Sequence, residues 1–158
     1  MITLRPMTGD EAEAFITSQT ESYVAERIAS GERPEDAQRI ADQQAQALFT
    51  DGAPAVGQYF YVADDKEGVR VGTLWLGPHP SGQPYALWIF DVEVEARRRG
   101  TGLGRAVMLL AEQEARTLGA TELGLQVFGH NAVARGLYES LGYETTSATM
   151  RKSLPATS

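Results

Sequence analysis

Apolar residues recur along this chain with two different periods, which alternate in blocks. Ile2-Thr3-Leu4-Arg5 alternates and is closed by Pro6, which predicts a short first strand. Thr8-Gly-Asp-Glu11 has the form of a capping box, with Thr8 as N-cap and Glu11 as its partner. Ala12, Phe15, Ile16, Tyr23, Val24 and Ile28 then keep a 3.6-residue spacing until Gly31 ends it, so a helix is expected there. Pro34, Glu35 and Asp36 suit the first turn of a second helix, carried to about Phe49 by Ile40, Ala41, Ala45 and Leu48. After the turn cluster Asp51-Gly52-Ala53-Pro54, Tyr59–Ala63 and Val69–Leu76 read as two strands of a hairpin, the second and third of the chain. A fourth strand is expected over about Tyr85–Val94.

The pattern then returns to the helical period. Leu103, Val107, Leu110, Ala111, Glu114 and Leu118 share one face of a helix that ends before Gly119, with Glu114 its one polar member. Leu123–Val127 reads as a fifth strand, Asn131 opens a helix to Leu141 with Gly142 as its cap, and a last strand is expected near Ala148–Leu154. Strands interleaved with helices make an α/β domain, and the early hairpin makes its sheet mixed. The 158 residues, 42% of them hydrophobic, suit one domain over 1–158 with its own core.

Composition narrows the chemistry. Without cysteine, disulfides, thiolate metal sites and a cysteine nucleophile are excluded, and His79 and His130 have no metal-ligand spacing, so no metal is expected. No apolar run approaches a membrane span and no secretory leader pattern opens the chain, which points to a cytoplasmic protein without a membrane partner. The net charge of −7 argues against nucleic acid. Its acidic excess falls within residues 1–64, where it suits solvated helix faces first and would also favour a cationic acceptor. His79, between two prolines, reads as an exposed loop residue.

The stretch between the fourth strand and the following helix carries the strongest chemical signal. Three arginines, Arg97 to Arg99, precede Gly100-Thr101-Gly102-Leu103-Gly104-Arg105. Glycines let a ligand approach the backbone, and the first-turn amides of a helix form an anion site. The third glycine of a dinucleotide fingerprint and the lysine of a nucleotide-triphosphate loop are both missing. Arg99-x-x-Gly102-x-Gly104 instead resembles the pyrophosphate loop of the GCN5-related N-acetyltransferases (GNAT). Asn131-Ala-Val-Ala134-Arg-Gly-Leu137-Tyr138-Glu-Ser-Leu141-Gly142-Tyr143 resembles a second signature of the same family, in the usual order. The resemblance is close over residues 58–154 and holds only in outline before them.

That resemblance implies a GNAT fold: a mixed, mostly antiparallel sheet flanked by helices, whose parallel fourth and fifth strands splay to admit acetyl-CoA as a pseudo-strand. It places the pyrophosphate on the backbone from Arg99 to Arg105 and the pantetheine arm beside Val92 to Val94. Asn131 would bond the pantetheine while capping its helix, and Arg135, on the same helix, joins the cofactor-binding set. Tyr138 aligns with the tyrosine that protonates the coenzyme thiolate in many members. The acceptor would be a small-molecule amine or a protein amine, and homodimers are common in the family. An ammonium of pKa near 10 must lose a proton before it attacks. Asp91 and Glu93, two apart on the fourth strand, share a face. Glu93, directly or through ordered water, is the candidate base, and Asp91 could instead orient loop backbone. Gln126 stands where some members carry an acid, and Ala96 where many have proline. A CoA-binding sensor or interaction module without turnover is the alternative reading.

Overall fold

The computed structural model describes residues 1–157 and divides into two compact units. The first spans Met1–Gln126 and the second starts at Val127. In the first unit, β1 (Thr3–Pro6), β4 (Tyr59–Asp64), β5 (Arg70–Pro78), β6 (Ala86–Val94) and β7 (Glu122–Leu125) form one sheet in the order β1-β4-β5-β6-β7. Every neighbouring pair is antiparallel except β6 with β7, which is parallel. The mixed, mostly antiparallel α/β sheet expected from the sequence is therefore present, with β6 and β7 as the expected fourth and fifth strands.

Each helix of this unit starts and stops where its local chemistry dictates. Thr8 caps α1 (Gly9–Ala29): its hydroxyl accepts from the Glu11 amide at 3.2 Å, and the Glu11 carboxylate accepts from the Thr8 amide at 2.9 Å. The same carboxylate receives both terminal nitrogens of Arg5 at 2.8 and 3.0 Å, while Arg5 Nε donates to Asp64 at 2.7 Å. One arginine thus ties β1, β4 and the start of α1 together, and its fork holds the Glu11 carboxyl down at about 2. Pro34 opens α2 (Pro34–Leu48). The turn cluster after it proves to be a two-residue hairpin between β2 (Phe49–Thr50) and β3 (Ala53–Pro54). Asp51 and Gly52 both have positive φ there, the signature of a primed turn that an Asp-Gly pair accommodates.

The sheet has two distinct faces. Tyr61, Leu74, Leu76 and Ile89 are buried on one, and Tyr61 Oη donates to Glu114 Oε1 at 3.1 Å, which places α3 (Leu103–Thr117) over that face. This accounts for the single polar residue on the α3 stripe. The buried positions of α3 are Val107, Met108, Ala111 and Ala115, whereas Leu118 lies beyond the helix and is exposed. On the other face Phe15 and Ile16 of α1 pack with Phe60, and Met7, Leu48, Phe49 and Trp75 close around them. Burying each such side chain contributes about 1.5–3 kcal/mol. The later apolar residues of α1 take little part, and Ile28 is exposed.

The second unit contains α4 (Ala132–Ser140), capped by Asn131, whose side chain accepts from the Ala134 amide at 3.2 Å. The last strand expected near Ala148–Leu154 does not form; residues 144–157 carry no regular element. A strand persists where one face is buried, and here the apolar side chains Met150 and Leu154 are 90% and 80% exposed.

Gly72 marks the tightest point between β5 and β6, where an added Cβ would lie 2.4 Å from the Glu93 carbonyl oxygen. Both atoms belong to paired backbone, so neither can yield cheaply. Gly72→Ala should lower stability by about 1–3 kcal/mol, the usual range for overpacking, as read by urea unfolding. An unchanged midpoint would show that the two strands are looser than this spacing implies.

Candidate active site

The strand that leads into the glycine loop is paired unequally on its two edges. Toward β5, β6 is in register from Leu87↔Pro78 to Val94↔Gly72. Toward β7, its partners run only from Ala86↔Glu122 to Ile89↔Leu125. Among the described residues that second edge has no strand beside it from Phe90 to Val94, because β7 ends at Leu125. This is the geometry into which an extended ligand can insert as a pseudo-strand beside Val92 and Val94.

A bulge lies just where the pairing with β7 ends. Leu76 pairs with Ile89 and Trp75 with Asp91, so Phe90 is an extra residue on β6. An uninterrupted alternation would put Asp91 and Glu93 on the same face as Ile89, against α3. The bulge resets the phase. Asp91 and Glu93 instead stand opposite Trp75 and Thr73, on the face that carries Phe60 and α1.

The two acids share that face, as expected, but not an environment. Glu93 is exposed. Asp91 is half-buried, and its Oδ2 is buried without a hydrogen-bond partner. Loss of water, reinforced by the nearby Glu93 charge, pushes the Asp91 carboxyl from its ordinary 3.8 up to about 6. Such a group changes protonation close to neutral pH, which suits proton exchange with a substrate.

The loop that follows has the form of an anion cradle. Ala96–Arg98 makes one 3₁₀ turn, Gly100 and Gly102 take φ of 79° and 81°, and Gly102 is the N-cap of α3 without a side chain to cap it. A Cβ at either glycine would meet nothing within 4 Å, so the space above the helix start is open. Leu103, Gly104 and Arg105 supply the first turn. A diphosphate fits this arrangement: open space, left-handed glycines and amides at the positive end of a 15-residue helix. Thr101 Oγ1 donates to the Arg98 carbonyl and Arg99 Nε donates to the Val94 carbonyl at 3.2 Å, fastening the loop to the end of β6. Arg98 is half-buried and pairs with Asp65 at 3.3 Å, whereas Arg97 and Arg99 are both exposed.

In the second unit, Asn131, Arg135 and Tyr138 all belong to the α4 segment. Arg135 Nη1 donates to the Gly129 carbonyl at 3.2 Å and pairs with Glu139 at 3.6 Å, so it stabilises its own helix start. Tyr138 is half-buried, with its ring 6.1 Å from that of Tyr143 and steeply inclined to it. His130 stacks on Phe128. His79 is half-buried rather than exposed, since its ring meets Trp88 edge-on at 4.9 Å. The residues overlooked in the sequence are Trp75 and Phe90, which stack beside Asp91 at 4.8 Å. Only the bulge brings Phe90 to them, and alternation along β6 does not betray it.

Comparisons with known proteins agree with this geometry. Residues 16–143 match the profile of the Acetyltransferase (GNAT) family. YdgE of Bacillus subtilis, named as an uncharacterised N-acetyltransferase, is 33% identical over 96% of this chain and 98% of its own length. The crystal structure of the Bacillus subtilis protein YycN superposes with a TM-score of 0.79 at 32% identity, covering 99% of this chain and 100% of that one. AAC(6')-Iy, solved with the bisubstrate analogue CoA-S-monomethyl-acetylneamine, shares the fold at a TM-score of 0.57 and 13% identity, over 99% of both chains.

Asp91 also leaves a mark on stability. The folded protein holds its proton more tightly than the unfolded chain, so the cost of ionising Asp91 is absent below about pH 4, grows as pH rises, and is complete above about 6. Asp91→Asn should therefore gain on the native protein by about 1–2 kcal/mol between pH 4 and 7, allowing for water at the open strand edge. Thermal melting of both proteins across that range measures it, and parallel curves would refute the burial of this carboxyl.

Proposed function

Because the chain belongs to the GNAT acetyltransferase family, we propose that it transfers acetyl from acetyl-CoA directly to a primary amine, in one catalytic domain. The observation that carries this reading is the continuous run from the unpaired edge of β6 through Gly100 and Gly102 to the uncapped start of α3. The backbone from Arg99 to Arg105 holds the pyrophosphate, and Val92 and Val94 align the pantetheine arm. Asn131 and Arg135 complete the coenzyme contacts by their place in the family signature. The structure of AAC(6')-Iy with a CoA-based analogue supports the choice of donor, since the fold is shared. No helix among the described residues is long and apolar enough to cross a membrane, which is in keeping with the cytoplasmic location we propose.

In the proposed reaction the amine nitrogen forms a bond to the acetyl carbonyl carbon and the carbon–sulfur bond breaks. Asp91 takes the proton from the incoming ammonium, directly or through water; Glu93, more exposed, draws the cation toward the strand. Tyr138 returns a proton to the departing thiolate, since a phenol is a donor throughout neutral pH. Gln126 offers no carboxylate from the end of β7, which leaves the base to β6.

Acetyl-CoA should raise the melting temperature by mass action. Gly102→Glu forces a side chain into a left-handed position and sets a carboxylate above the helix start. A negative charge there suits the helix, so the fold should survive while acetyl-CoA affinity falls at least roughly tenfold. Unchanged affinity in the folded variant would remove the loop from the site.

Tyr138→Phe keeps the ring and deletes one oxygen. Turnover should fall by roughly 10²–10⁴-fold with little change in melting or coenzyme affinity. Near-native turnover by the stable variant would exclude the phenol as the acid. In the wild-type profile of kcat/KM against pH, protonation of Asp91 should add a loss of activity below about pH 6, and this break should vanish in Asp91→Asn. Its persistence would assign the base elsewhere.

A further inference from the structure

The residues around Asp91 form more than a proton acceptor. Phe15, Phe60, Trp75 and Phe90 make a continuous aromatic slab, with successive ring centroids 5.7, 5.4 and 4.8 Å apart. The first two rings are buried in the core, whereas Phe90 ends the slab at the surface with 41% of its area exposed. Leaving a large ring half in water on a sheet strand forfeits burial, yet the fold holds it there by three separate devices. The bulge turns Phe90 to the face of Asp91. Gly77 leaves room for it: an added Cβ would lie 2.7 Å from Phe90 Cε2. Trp75, on which Phe90 stacks within 23° of parallel, is itself fixed by Nε1 donating to Gln58 Oε1 at 2.8 Å. The ring is thus immobilised beside two carboxylates, at the point where β6 loses its partner.

We propose that Phe90, backed by Trp75, is the specificity-determining surface of the acceptor site, and that the acceptor is a primary amine on an apolar alkyl or aryl arm. The arm lies on the exposed ring while the ammonium faces Asp91 and Glu93. A flat aromatic wall beside paired acids attracts an alkylammonium twice, through apolar contact and through the ring's negative face. A hydroxylated amine would leave its hydroxyls against this wall without partners, which disfavours it. The inference rests on the acetyl-transfer reading for its kinetic consequence, but not for its binding consequence.

The test uses 2-phenylethylamine and ethanolamine, amines of similar basicity that differ in their arms. Thiol release from acetyl-CoA should show at least a roughly tenfold higher kcat/KM for 2-phenylethylamine, the worth of one good apolar contact. That ratio should collapse toward one in Phe90→Ser, and also in Gly77→Ala, whose added Cβ would lie 2.7 Å from both Phe90 Cε2 and Gln58 Oε1 and so displaces the ring or the anchor of Trp75. Equal use of both amines by the native protein would overturn the proposal, as would a preference that survives in either folded variant. Binding is read separately in Trp88→Phe protein, where Trp75 is the one remaining tryptophan. Its fluorescence should change saturably with 2-phenylethylamine and not with ethanolamine. Absence of that response overturns the surface whatever the fate of turnover. A response without acetylation of any amine would uphold the surface and defeat the acetyl-transfer reading instead.

Discussion

A strand paired on both edges from Leu87 to Ile89 and on only one from Asp91 to Val94 is the constraint on which this structure depends. Backbone amides and carbonyls left without a neighbour inside a sheet must find a partner, water or a ligand. The rest of the first unit holds that half-open edge in place. β5 secures the opposite edge out to Val94, Arg99 binds the Val94 carbonyl, and the glycine turns deliver the chain into α3, whose packing on the far face fixes the loop.

Carboxylates in this protein are set apart by their surroundings rather than by their type. Glu11 sits in the fork of Arg5 and accepts an amide, so its charged form is held down to about pH 2. Asp91 has lost water, faces Glu93 and has one oxygen without a partner, so its charge is disfavoured up to about pH 6. The first arrangement joins two strands to a helix and is a structural clamp. The second leaves a carboxyl whose protonation changes close to neutral pH.

Much of this was legible beforehand, and the limits are physical. The capping box at Thr8, proline at the start of α2, the stripe of α3 and the Asn131 cap are local signals, and each element stands within a few residues of its expected place. The motifs around Gly102 and Tyr138 carried the family. What remained hidden depends on pairing. The bulge at Phe90 is set by register with β5, and Leu-Trp-Ile-Phe-Asp-Val-Glu-Val reads equally well with or without it. The different exposures of Asp91 and Glu93 follow from that bulge. Residues 148–154 carried propensity enough for a strand, but Met150 and Leu154 found no buried face. His79 looked like a loop residue between prolines because its contact with Trp88 lies across the sheet.

The open edge of β6 also poses a problem of self-association. A run of unpaired backbone is a template for a strand from another molecule, and such additions seed aggregates. Three features of this stretch oppose that: a bulge that breaks the regular hydrogen-bond spacing, an exposed carboxylate at Glu93, and a further one at Glu95 just beyond the strand. An incoming β-strand would meet an irregular ladder and like charges, whereas a narrow, flexible ligand arm needs only a few of the backbone groups. The kink that brings Asp91 to its place thereby also guards the colloidal stability of the protein.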